Sequence, residues 1–175
     1  MACSNAVARS RRILTAAPGA VRRGAAKVGA LWPGERRFLL EAPLVLPLTA
    51  LGLRRWGLAG VQSWLSRLTD LTGKAAADGD EHAAAVRIAW TVQVAAAYGP
   101  WPANCLQRSV TLWWFLRRRG IVADIRIGVR RASDGALDFH AWVEHHGEVI
   151  NDRRDLRRQY ATFDRPIAPR HASFN

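Results

Sequence analysis

Residues 105–152 read CLQRSVTLWWFLRRRGIVADIRIGVRRASDGALDFHAWVEHHGEVIND, and the period of the apolar residues changes within this stretch. Leu106, Val110, Trp113 and Leu116 recur at the spacing of one helix face, whereas VADIRIGVR (122–130) and LDFHAWVEHHGEVIND (137–152) alternate as half-buried strands do. Both helix ends are signalled. Asn104 stands where a side chain caps the first N–H groups, Arg117, Arg118 and Arg119 suit the negative end of the helix dipole, and Gly120 suits the left-handed position beyond it. Helices followed by antiparallel strands predict an α+β fold, helices packed on a small antiparallel sheet, with YATFDRPI (160–167) as a last edge strand.

Working upstream, HAAAVRIAWTVQVAAAY (82–98) reads as a helix, capped by Asp78 or Asp80 and ended by Gly99-Pro100. TGKAAADGD (72–80) has the composition of a linker. Before it lies a Leu-rich segment, 36–72, interrupted by Pro43 and Pro47. The prolines predict one short broken helix, and Leu53, Trp56, Leu58, Val61, Trp64, Leu65 and Leu68 predict an amphipathic helix beyond Gly52. Its apolar face is expected to pack on the following domain and not on a membrane surface. The longest uncharged stretch, Ala42 to Leu53, is 12 residues, against the roughly 20 that a spanning helix needs. The expected organisation is a disordered basic tail over 1–35, a helical segment over 36–72 and a catalytic domain over 80–175.

The chain has 175 residues, 49% of them hydrophobic, and a formal charge of +12. That is enough apolar material for one core, and it excludes a wholly disordered chain. The basic excess is spread along the sequence. Residues 1–40 carry eight basic residues against the single acid Glu35, which fits either a transit peptide or a solvated arm; the arm is the expectation, and the arginines leave no apolar run for a secretory signal. Two cysteines, Cys3 and Cys105, are too few for a disulfide scaffold, so a reducing, cytoplasmic setting is expected. The five histidines and two cysteines show no zinc-ligand spacing, and neither metal nor cofactor is expected. A basic nucleic-acid-binding module would explain the charge and the eight tryptophans. Against it, Trp113 and Trp114 lie in a core helix and the arginines sit at helix ends and loops.

Cys105 opens its helix, where the dipole favours thiolate and unpaired N–H groups can receive an oxyanion. The alternative is a buried structural cysteine. A thiol nucleophile needs a base, and the base an orienting partner. His140 is the histidine inside a strand pattern; His82 and His171 fall at a linker edge and in the tail, and His145 and His146 at a turn. The hairpin turn then selects the third residue. A two-residue loop, His146-Gly147, sets His140 opposite Arg153; a three-residue loop, His145-His146-Gly147, sets it opposite Asp152 and gathers Phe139, Ala141, Val143 and Val149 on one apolar face. The three-residue loop is the expectation, at the mild cost of Glu144 facing Glu148. Gln93 and Trp101 are candidates to assist the oxyanion; spacing does not choose between them.

Cys-Leu-x-Arg-Ser at a helix start, Leu-Arg-Arg-Arg-Gly-Ile at its end, Arg-Ile-Gly-Val-Arg in a strand and His-Ala-Trp-Val-Glu with an acid 12 positions past the His together resemble the lasso-peptide leader peptidases. These are the transglutaminase-like cysteine protease component of the B protein. The resemblance covers about residues 80–155 well, and 36–72 in character. It implies a transglutaminase-like (papain-like) core with Cys105 as nucleophile, His140 as base and Asp152 as third member. It also implies the job of cutting a precursor peptide's leader from its core, so that a partner ATP-dependent lasso cyclase can use the freed amine. Nothing in residues 1–72 resembles the small winged-helix domain that recognises the precursor in some relatives, so a separate recognition protein is expected. Other acyl-transfer enzymes with the same residue order, of acetyltransferase or transglutaminase type, are the nearest alternative.

Overall fold

The computed structural model describes residues 33–72, 80–153 and 155–163. The expected basic tail with Cys3, Asp78 in the linker, and the end of the chain with His171 lie outside these residues.

Three helices and a small sheet form the framework: α1 (Pro33–Thr72), α2 (Glu81–Tyr98), α3 (Cys105–Arg118), β1 (Asp124–Arg131), β2 (Leu137–His145), β3 (Glu148–Val149), a one-turn helix α4 (Leu156–Gln159) and β4 (Ala161–Thr162). The sheet runs β3-β2-β1-β4 with every neighbouring pair antiparallel. α1 packs on α2 and α3, and α3 lies on β1 and β2. The α+β architecture read from the sequence is the one observed.

The first difference lies in α1. Helix continues through Pro43 and Pro47, and the break falls at Gly57, whose φ of 67° and ψ of −177° are accessible almost only to glycine. Each proline removes one intrahelical hydrogen bond, a cost the packing of this segment outweighs, because Phe38, Ala42 and Leu46 are buried in the main core. Val61 and Leu65, past the break, enter the same core. The opposite side carries Leu40, Leu44, Leu48 and Leu51, all exposed.

α3 is the central element. Its expected apolar stripe is wider than the sequence pattern, since α1, α2 and the sheet surround it and Val110, Leu112, Phe115 and Leu116 are all fully buried. Both ends are made as the sequence indicates. Asn104 Oδ1 accepts from Gln107 N (2.9 Å) while Gln107 Oε1 accepts from Asn104 N (3.0 Å), a capping box. At the other end Gly120 (φ 73°) donates to Arg117 O and Ile121 N to Leu116 O, the paired bonds of a Schellman motif. Asp80, the second of the two candidate caps, accepts from Ala83 N at the head of α2.

The hairpin differs from expectation. His145 pairs with Glu148 and Glu144 with Val149, so the loop is the two-residue His146-Gly147, with φ of 50° and 79°. Two successive left-handed residues match the twist of the flanking strands, and histidine is among the residues that tolerate the position. This register avoids the Glu144–Glu148 juxtaposition and reverses the faces assigned to the returning strand. Val149 joins Trp142, Leu156 and Tyr160 in a second small core, while Ile150 packs against the main one. Glu144, expected at a solvated end, is 2% exposed. Its carboxylate accepts from Trp142 Nε1, Arg126 Nε and, bidentately, Arg157. Burial pushes this carboxyl up, but those bonds and the two guanidinium charges hold it below the usual range.

Candidate active site

His140 sits mid-strand in β2, opposite Gly128 of β1. The close approach requires glycine there, because a Cβ at 128 would lie 2.8 Å from Trp142 Cη2 and 2.8 Å from Tyr160 Cβ. Those two rings flank the imidazole, with centroids 6.2 Å and 5.5 Å from it. Tyr160 is itself anchored: its hydroxyl donates to Asp138 Oδ2 (2.8 Å) and Arg130 lies over its ring. Burial and the Asp138 carboxylate push the phenol up to about 12, so it remains a neutral donor.

His140 Nε2 and Asp152 Oδ2 are 2.8 Å apart. The pair forms although the regular register, continued, would put Arg153 opposite His140 and turn Asp152 away. Continuation fails after the two pairs His145–Glu148 and Glu144–Val149. Ile150 N donates to Val143 O (3.1 Å), but the reciprocal bond is replaced: Val143 N donates to the side chain of Asn151 (Oδ1, 2.8 Å). An amide side chain thus takes the place of a backbone carbonyl, the ladder ends, and the main chain bends back so that the next residue meets the imidazole. Asn151 is fixed from two further sides. Its Nδ2 donates to Ser109 Oγ of α3 (3.3 Å), and its carbonyl accepts from Gln93 Nε2 of α2 (2.5 Å). Gln93 in turn accepts from Arg108 (3.0 Å).

Burial pushes the Asp152 carboxyl up, but the hydrogen bonds from His140 and from Arg153 N, with the charges of His140 and Arg108, bring it below the ordinary carboxylate range. An ionised carboxylate only accepts, so the proton of the bond sits on Nε2 and Nδ1 presents its lone pair.

Cys105 is the first residue of α3 and is 4% exposed. Arg108 and Ser109 stand three and four positions further on, hence on the same helix face. Those are the residues that reach Gln93 and Asn151, so the face of α3 bearing Cys105 is turned toward the segment that carries Asp152. Of the two oxyanion candidates, Trp101 is exposed, and Gln93 is engaged as the strut between α2, α3 and Asn151. Strand alternation weighs Asn151 only as the rival of Asp152 for the imidazole and gives it the minor role, and it assigns no part to Arg108 or Tyr160. Asn151 and Arg108 act through non-local bonds that no spacing announces, and Tyr160 reads as part of an edge strand. A separate apolar hollow lined by Val45, Leu48, Val61, Trp64 and Trp114, between α1 and α3, has no titratable side chain on its walls.

A family model described as Transglutaminase-like superfamily matches residues 48–164, a span that includes Cys105, His140 and Asp152. No curated protein and no solved structure matches the chain. With two thirds of its length covered by the family model, the chain belongs to the transglutaminase-like superfamily.

Proposed function

We propose that this member of the superfamily is a cysteine peptidase with Cys105 as nucleophile, His140 as base and Asp152 as orienting acid. The observation that carries the proposal is the 2.8 Å bond between His140 Nε2 and Asp152 Oδ2, formed against the strand register by a dedicated side-chain bridge. Such a bond fixes the tautomer and the ring plane of a base. It leaves Nδ1 to take the thiol proton, and the head of α3 favours the resulting thiolate.

In this mechanism the Cys105 thiolate attacks the scissile carbonyl, and the oxyanion of the tetrahedral adduct is met by N–H groups at the helix head. The adduct collapses as the His140 imidazolium protonates the leaving amine, giving a thioester and a free N-terminus. Neutral His140 then takes a proton from water as it attacks the thioester, and the thiolate leaves with the released carboxylic acid.

The substrate assignment rests on the motif resemblance described above: the acyl group is the leader of a lasso-peptide precursor and the leaving amine is the N-terminus of its core. A separate precursor-recognition protein supplies the leader, and an ATP-dependent cyclase consumes the freed core. The test is mass spectrometry of a precursor incubated with this protein and its recognition partner. Loss of a mass equal to the leader, abolished by Cys105→Ala, is expected. An intact precursor overturns the substrate, whereas leader acyl transfer to an added amine in preference to water would make the chain an acyltransferase of the same superfamily.

A further inference from the structure

Among the described residues a second cluster of chemistry-bearing side chains lies at the other end of β2. Glu81, His145 and His146 each offer one ligand atom, and the three atoms lie within 4.8 Å of one another. Sequence spacing gives no hint of this set, since Glu81 heads α2 and lies more than sixty positions before the two histidines. Neighbouring residues of a strand normally point to opposite faces. The left-handed backbone of His146 (φ 50°) turns its ring back beside that of His145, with centroids 4.1 Å apart.

His145 supplies the independent observation. Its ring is fully buried, and Nδ1 donates to Val122 O at 2.7 Å. A carbonyl only accepts, so in the neutral ring Nδ1 carries the proton and Nε2 presents a lone pair. That nitrogen is buried without a hydrogen-bond partner, and Glu81 Oε1, at 3.9 Å, is too far away to be one. A backbone carbonyl fixing one imidazole nitrogen while the other waits beside a carboxylate is the arrangement of metal-ligating histidines.

We propose that Glu81, His145 and His146 bind a divalent transition-metal ion of the zinc class, which clamps the head of α2 to the β2–β3 turn. Two imidazoles and one carboxylate are a borderline N/O donor set, suited to zinc, cobalt or nickel and unsuited to calcium or magnesium. Ligand atoms of a tetrahedral site at about 2.0–2.2 Å from the ion stand roughly 3.4 Å apart. Closure from the present spacing is a rotamer adjustment for Glu81 and His146, both of which reach solvent. Water supplies the fourth ligand, with His82, stacked on His145 and 3.6 Å from Glu148, standing beside the site. The ion is remote from the dyad: His145 is five residues along β2 from His140 and on the opposite face, about 16 Å away along the strand. It is therefore a structural clamp on the hairpin that leads into Asn151 and Asp152, and it does not depend on the peptidase reading.

The test uses the full chain carrying Cys105→Ala, which removes the α3 thiol as a competing ligand. The chelator-treated protein is titrated with zinc chloride by calorimetry and with cobalt chloride by absorption, and its melting temperature is recorded with and without zinc. One equivalent bound, a rise in melting temperature, and a loss of affinity of about tenfold or more with Glu81→Gln and with His146→Asn are expected. Asparagine tolerates the left-handed turn position, so His146→Asn keeps the hairpin, and ion-free melts of the variants verify this. Absence of stoichiometric binding, or binding that survives both substitutions, overturns the site. Binding lost with His140→Ala instead would place the ion at the dyad and equally overturn it.

Discussion

Replacing Asn151 by alanine tests whether the acid of the dyad is placed by the side-chain bridge. Val143 is fully buried, and its N–H has Asn151 Oδ1 as its acceptor at 2.8 Å. Stranding a buried backbone donor costs about 1–3 kcal/mol, and losing the Ser109 bond adds roughly 0.5–1.5 kcal/mol. The sum, about 1.5–4.5 kcal/mol, is a large part of the 5–15 kcal/mol typical of a folded domain. For a chain of this size it lowers the melting temperature by roughly 3–18 °C. Activity should fall further than unfolding accounts for, because the bend that turns Asp152 toward His140 begins at this residue. Asn151→Asp is the control: it keeps an acceptor for Val143 N, and the Ser109 hydroxyl can rotate to donate. Its stability should stay within about 1 kcal/mol of the parent, the net worth of one ordinary hydrogen bond. Denaturant melts followed by circular dichroism, with peptide cleavage measured well below each transition, separate the two effects. An Asn151→Ala protein as stable and as active as the parent would refute the bridge.

Five further outcomes are expected. Cys105→Ala should abolish cleavage with the melting curve little changed, as read by mass spectrometry of precursor. Asp152→Asn should leave the fold intact and lower kcat by a factor on the order of 10⁴, the loss seen when a serine-protease histidine is left in the wrong tautomer. The Asp152 carboxyl is held below its ordinary value, so its contribution to stability is complete above about pH 4 and disappears as the pH falls through the lowered folded value; the Asp152→Asn protein should lose less stability over that acid range. Gly128→Ala should displace Trp142 or Tyr160 from beside His140, cost about 1–3 kcal/mol by overpacking and reduce turnover, measured by melts and kinetics. Cleavage at low substrate should be much faster with a separate leader-binding protein than without it, through effective concentration alone; equal rates would remove that dependence.

The parts of the fold legible in the sequence are those encoded locally. Asn104 and Gly120 mark the two ends of α3 because capping is chemistry among residues within a few positions of one another, and the same holds for Asp80 at α2. His140 and Asp152 are brought together as read, but by another route. Loop length alone could not settle the register, since His146 occupies a left-handed position that composition assigns more readily to glycine. Nor could alternation foresee that a side chain would replace a carbonyl in the ladder. Glu144 was misplaced for a similar reason: a carboxylate reads as solvated until Arg126, Arg157 and Trp142, from three points of the chain, enclose it. Sequence points to a helix break at Pro43 and Pro47, whose penalty is local, while the break at Gly57 answers to the core that both halves of α1 must reach.

That break sets a counting constraint on the Leu-rich segment. Forty residues of straight helix would extend about 60 Å, well beyond the width of a domain of this size, and one of its halves would leave the core. With Gly57 as a corner, each half is phased separately from it. One residue inserted between Leu46 and Gly57 would rotate Phe38, Ala42 and Leu46 by about 100° about the helix axis, carrying their apolar side chains out of the core and the Leu40–Leu44–Leu48 edge partly into it. Insertions of three or four residues nearly restore the phase but shift the buried face by about one 5.4 Å turn. The first half of α1 is thus read from its corner outward, and its tolerance to length variation should repeat with the helical period.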